Sequence, residues 1–166
     1  SDIILLQETH YNPGETSHLG SILDATHTSF YNNLEGRAGT AIAVAKRYFK
    51  DYRVSQQKLG EGAQGHVQAL LFEGKTPGLR DFQVVNLYVK SGSNMKPKAE
   101  HLKLLNQLPD TLMMMAGDFN FTEDRADGGN IVTGSALDAW SKLCHQRSLR
   151  EARQELPAPG GWSRQQ

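Results

Sequence analysis

Two acidic residues in this sequence follow apolar runs in the same manner. Ile3-Ile4-Leu5-Leu6 leads through Gln7 into Glu8, and Met113-Met114-Met115-Ala116 leads through Gly117 into Asp118. A carboxylate at the end of an apolar strand is held on a rigid element yet faces an opening at the sheet edge. That placement suits a hard cation, because Mg²⁺ takes only one or two protein carboxylates and otherwise keeps water or phosphate oxygens. Singly, either acid reads as an ordinary strand-end residue starting a turn. As a pair, each with its own neighbours, they point to a site.

Other candidates carry less. His10, two residues after Glu8, is placed to reach a substrate or to sit on a solvent-facing loop. His18, His27, His66 and His101 have no metal-ligand spacing and read as structural or surface residues. Met113 to Met115 reads as a core strand rather than a binding surface. Gly60, Gly62 and Gly65 lack the Lys-Ser/Thr that a phosphate-binding P-loop requires. Arg37, Lys46, Arg47 and Lys50 read as a solvated face before they read as phosphate contacts.

The elements that must position Glu8 and Asp118 follow from hydrophobic patterning. Ile3 to Leu6 is wholly apolar and predicts a strand buried on both faces. A helix is expected over 15–25, with Leu19, Ile22 and Leu23 on one face. Strands are expected at Ser29–Tyr31 and, after a Gly-rich turn, at Gly39–Ala45. Tyr52–Lys58 and His66–Phe72 predict an antiparallel pair across the turn-rich stretch Gly60–Gly65. Phe82–Val89 is strand-like. Pro97 opens a helix whose apolar face is Leu102, Leu104, Leu105 and Leu108. Leu112–Ala116 predicts another buried strand, and Ala136–His145 a helix with Leu137, Trp140, Leu143 and Cys144 along one side. Many strands with a few irregularly spaced helices favour an α/β sandwich over a doubly wound parallel sheet.

Bulk properties narrow the class. The 166 residues, 38% hydrophobic and 22% charged, suffice for one folded domain with a core. Eighteen basic and eighteen acidic residues cancel, which argues against a dedicated nucleic-acid binder but not against a nuclease with a local basic patch. Cys144 is the sole cysteine, so no internal disulfide forms and a reducing, intracellular compartment is expected. No apolar run is long enough to span a membrane, and no signal peptide is evident. A start inside an apolar strand without an initiator Met reads as a piece of a longer polypeptide.

Leu6-Gln7-Glu8-Thr9-His10 resembles the first acidic motif of the endonuclease/exonuclease/phosphatase family, and Gly117-Asp118-Phe119-Asn120 resembles its Gly-Asp-Phe-Asn motif. Between them, Val85-Asn86-Leu87-Tyr88-Val89 is similar to the family's central strand with its substrate-contacting Tyr, and Gly39 to Val44 to the strand after its first helix. Leu149-Arg150-Glu151-Ala152 and Gly161-Trp162-Ser163 resemble the segment before the family's last two motifs. The resemblance implies a four-layer α/β sandwich that hydrolyses phosphate esters with Mg²⁺ or Mn²⁺. It implies that Glu8 binds the metal and that Asp118 positions or deprotonates the attacking water. Asn120 would hydrogen-bond the scissile phosphate, and Tyr88 would contact it or assist the leaving oxygen. Such roles suit in-line attack, which needs an oriented water and neutralised phosphate charge.

The wording is most similar to endonuclease domains of retroelement (non-LTR) reverse transcriptases, which implies DNA as partner and a nuclear setting. The alternatives are a phosphomonoesterase acting on inositol phosphates, lipid headgroups or nucleotides, and a non-catalytic remnant. The sequence also departs from the family pattern. Tyr88 is followed by Val89, Lys90 and Ser91 where relatives carry Pro and Asn. The family's first strand, with an Asn near the metal, and its Ser-Asp-His motif fall outside residues 1–166, and His145 on its helix does not replace the latter. Residues 1–166 are therefore expected to be a single partial domain, inactive and poorly soluble by itself.

Overall fold

The computed structural model describes residues 1–11, 22–34, 38–60, 62–122 and 131–150. Three strands form the first sheet: β1 (Ile3–Gln7), β2 (His27–Leu34) and β3 (Ala38–Ala45). Their order is β1-β3-β2, with both pairings antiparallel. The uncharged, small-residue run AGTAIAVA tolerates neighbours on both edges and both faces, and all eight of its residues are buried. Among the described residues β1 lies at the sheet edge, and it is only half-buried throughout, contrary to the expectation of a strand enclosed on both faces. Ile3 and Leu5 turn to the core, so strand alternation puts Ile4 and Leu6 on the other face.

A short helix α1 (Tyr48–Asp51) leads into the second sheet, β4 (Tyr52–Gln56), β5 (Val67–Gly74), β6 (Phe82–Tyr88) and β7 (Leu112–Asp118), in that spatial order. The expected pair β4–β5 is antiparallel, as is β5–β6. β6 and β7 run parallel, joined by helix α2 (Met95–Leu104) and a 3-10 turn at Leu105–Gln107. A parallel neighbour requires such a crossover. Helix α3 (Gly134–Arg147) follows. Among the described residues no helix is long and apolar enough to cross a membrane.

Two cores result. Between the sheets, Ile42 and Val44 meet Leu70, Phe72 and Val84. On the far side of the second sheet, Val67, Ala69, Val85 and Leu87 pack under Leu102, Leu105, Ala136 and Leu143 of the helical segments. β6 is therefore covered on both faces, and its sequence FQVVNLY is correspondingly uncharged. Sheet against sheet, with helices on the second sheet, is the α/β sandwich that the pattern and the resemblance implied.

Further expectations need correction. Among the described residues β7 is an edge strand rather than a buried one: Met113 is buried, but Leu112 is 67% and Met114 49% exposed. A terminal strand has one ladder neighbour, and alternation turns Leu112 and Met114 to the uncovered face. Leu137 is exposed, because the buried stripe of α3 is Ala136, Ala139 and Leu143, with Trp140 partly buried. In α2 the N-cap is Asn94, whose side chain accepts from the Lys96 N–H, while Pro97 falls within the first turn. The helix expected over 15–25 lies mostly outside the described residues, and Ile22 from its expected apolar face is exposed.

Candidate active site

Glu8 follows β1, and the end of β1 is anchored across the sandwich by a buried amide. Asn86 of β6 donates from Nδ2 to the Leu6 carbonyl (2.8 Å) and the Ala41 carbonyl (3.0 Å), and its Oδ1 accepts from Gln7 Nε2 (2.6 Å). Asn86 is fully buried, so these bonds offset the cost of removing its amide from water. Beyond Gln7 the chain turns: Glu8 has φ 53° and His10 φ 50°. The turn is secured by Thr9, whose N–H donates to the Gly39 carbonyl (3.2 Å) and whose hydroxyl donates to Asn33 Oδ1 (3.1 Å). The Glu8 carboxylate then accepts the Tyr88 hydroxyl at Oε1 (2.7 Å). Its other oxygen lies 3.9 Å from His10 Nε2, with both side chains more than half exposed.

Asp118 comes from the second sheet. In the parallel pairing of β6 and β7, Tyr88 stands opposite Asp118. Gly117 has φ 144°, and a Cβ there would overlap the Leu87 carbonyl oxygen, so only glycine permits this approach. Asp118 Oδ1 accepts the Asn120 N–H (3.0 Å), folding the loop back on itself with Asn120 at φ 49°. The Asn120 side chain donates to the Val89 carbonyl (2.8 Å), and the Val89 N–H donates to the Asp118 carbonyl (2.9 Å). Lys98 of α2, fully buried, locks the two loops together by donating to the carbonyls of Asn120 (2.6 Å) and Lys90 (3.1 Å).

Burial, the hydrogen bond to Glu8 and the charges of Glu8 and Asp118 push the Tyr88 phenol up to about 12. It is a proton donor at neutral pH. Burial lowers the Lys98 ammonium, with Asp118 opposing the shift. Burial, followed by the proximity of His66, Lys90 and Lys98, brings His101 down to about 4.

The structure thus brings Glu8, Tyr88, Asp118 and Asn120 to one end of the two sheets, with His10 beside Glu8. His145 is exposed in the last turn of α3. His27 is buried and hydrogen-bonded to the Ser1 carbonyl and the Thr26 hydroxyl, a structural role. Arg47 pairs with Asp2 at the surface. His18 and Arg37 lie outside the described residues. The anchoring roles of Asn86, Gln7 and Lys98 escaped the sequence reading. The signal for Asn86 was an amide within an otherwise apolar strand, and for Lys98 a cation on the inward face of a leucine-rich helix.

Among the described residues, no three His, Cys, Asp or Glu side chains cluster in a way that would enclose a metal ion. One exposed carboxylate with room for water and phosphate oxygens is nevertheless a donor set that Mg²⁺ accepts, and Glu8 is of that kind.

The sequence profile of the endonuclease/exonuclease/phosphatase family matches residues 1–165. No curated protein is significantly similar in sequence. An AP endonuclease from Archaeoglobus fulgidus is structurally similar, with TM-score 0.56 and 18% identity over 87% of this chain and 60% of that one. ANGEL2, a 2',3'-cyclic phosphatase, superposes with TM-score 0.52 and 18% identity over 74% of this chain and 40% of that one. TDP2 from C. elegans gives TM-score 0.47 and 18% identity, covering 80% of this chain and 41% of that one. The chain thus spans about two-fifths to three-fifths of the length of these structures. With a profile match along almost its whole length and the matching two-sheet fold, the chain belongs to the endonuclease/exonuclease/phosphatase family.

Proposed function

We propose that this chain is part of a single metal-dependent phosphodiesterase domain, a DNA endonuclease of the retroelement type, within a longer polypeptide. The observation that carries the reading is the convergence of Glu8 and Asp118, from opposite sheets, on Tyr88. Glu8 would hold Mg²⁺ or Mn²⁺ with the oxygen atoms that face solvent. The ion supplies charge neutralisation at the phosphate oxygens. Asp118 orients the attacking water and accepts its proton. Asn120 has two amide N–H groups, one of which is committed to Val89, and the second donates to the scissile phosphate. Tyr88, protonated at neutral pH, donates its one O–H to Glu8 in the absence of substrate and would turn it to the phosphate or the leaving oxygen when substrate is bound. His10 contacts the substrate backbone from the rim. The setting of such an enzyme is intracellular, at nuclear DNA.

The test is nicking of supercoiled plasmid by the full polypeptide with Mg²⁺ or Mn²⁺. Glu8→Gln and Asp118→Asn are each expected to abolish nicking, and persistence of cleavage in both variants refutes the assignment. Release of inorganic phosphate from inositol phosphates, lipid headgroups or nucleotides, without DNA cleavage, would select the phosphomonoesterase reading. Absence of both activities would leave a non-catalytic remnant.

A further inference from the structure

Tyr88 is the last residue of β6, where the β5–β6 ladder runs out. Its N–H still donates to the His66 carbonyl (2.7 Å). The reciprocal ladder bond is missing, because the His66 N–H turns to the Ala63 carbonyl instead (2.9 Å). The His66 imidazole fills the vacancy: Nδ1 lies 2.8 Å from the Tyr88 carbonyl oxygen. A carbonyl only accepts, so Nδ1 carries the proton. The same imidazole stacks on the Tyr88 ring (centroids 5.6 Å apart, planes at 16°), and the buried His101 ring covers it from α2 (4.4 Å, 24°). His101 stays uncharged at neutral pH and backs His66 as a flat ring.

From this arrangement we infer that His66 is a positioning residue for Tyr88, gripping its main chain and ring so that the phenol stays on Glu8. The inference rests on the proposed hydrolytic role of Tyr88. Imidazole suits the task because one flat group supplies both a stacking face and an in-plane donor. Neither an aliphatic side chain nor phenylalanine does both.

The experiment is a double-mutant cycle in the full polypeptide, scored by plasmid nicking with Mg²⁺. His66→Ala should lower kcat by roughly 10- to 100-fold, the scale of a misplaced catalytic group, with KM little changed. In a Tyr88→Phe background the same substitution should change kcat by less than about two-fold, since the group being held is gone. His66→Asn, whose amide reaches the same carbonyl, should recover more activity than His66→Phe, which keeps only the ring. Equal losses in both backgrounds, or no loss from His66→Ala, would overturn the inference. A readout independent of catalysis is the set of Tyr88 ring NMR signals, identified by their disappearance in Tyr88→Phe. They should shift in His66→Ala, and unshifted signals would overturn the grip even if the wild type cleaves nothing. A wild type without activity but with shifted signals would refute the hydrolytic reading alone.

Discussion

Burial of His101 predicts one acid-sensitive contribution to the stability of this fold. Its imidazole is 7% exposed, Nδ1 has no hydrogen-bond partner, and Lys90, Lys98 and His66 lie close by. Protonation in the folded state waits until about pH 4, whereas the unfolded chain takes up the proton near the ordinary value of 6.5. Between these values the unfolded state binds more protons, so stability is intact above pH 6.5 and falls as the pH drops toward 4. Linkage arithmetic on the two values gives a loss of about 2 kcal/mol from pH 7 to pH 5, approaching roughly 3 kcal/mol at pH 4. His101→Phe retains a flat ring of similar size and has nothing to protonate. Urea unfolding followed by far-UV circular dichroism at pH 7 and pH 5 would compare the two proteins, and the shared carboxylates and histidines not in contact with His101 cancel in the difference. The variant is expected to match the wild type at pH 7 or slightly exceed it, and to exceed it by about 2 kcal/mol at pH 5. Parallel losses in both proteins would show that His101 is not held neutral, and the reasoning from its burial would fail.

Asn86→Leu keeps the volume but strips donors from the Leu6 and Ala41 carbonyls and an acceptor from Gln7; a loss of about 3 kcal/mol in urea unfolding is expected. Gly117→Ala forces a methyl into the Leu87 carbonyl, at a backbone angle other residues avoid, and should cost roughly 3 kcal/mol or more in thermal unfolding. Lys98→Met leaves the Asn120 and Lys90 carbonyls without their donor. Faster amide hydrogen exchange at Phe119 to Phe121 should reveal the loosened loop, and the overall loss should be about 2 kcal/mol.

Linear pattern reports what a residue's neighbours in sequence impose, and here that covered the strands. AGTAIAVA, FQVVNLY and the leucines of α2 each carry a burial pattern strong enough to locate the element. Sheet position is decided elsewhere. Four apolar residues in β1 and a run of methionines in β7 read like strands covered on both sides, yet both lie at edges, because strand order depends on pairings far apart in the chain. Motif wording singled out Glu8, Asp118, Tyr88 and Asn120, the residues of the candidate site that the fold brings together. What holds them was not: Asn86 bonds across 45 and 80 residues of sequence, and Lys98 closes a loop 22 residues away. Such partners share no local period, so only the folded chain reveals them.

The two candidate acids ride on different sheets, Glu8 after β1 of the first and Asp118 at the end of β7 in the second. Their separation is thus a property of sheet-to-sheet registry, which neither strand sets by itself. A slide of one sheet over the other would carry the Glu8 carboxylate away from that of Asp118 while leaving every strand intact. The buried Asn86 amide, bonded to both β1 and β3 from β6, acts as a dowel against that shear. A packing change in the inter-sheet core, at Phe72 or Ile42, would therefore reach the chemistry as a change in alignment before it appeared as unfolding.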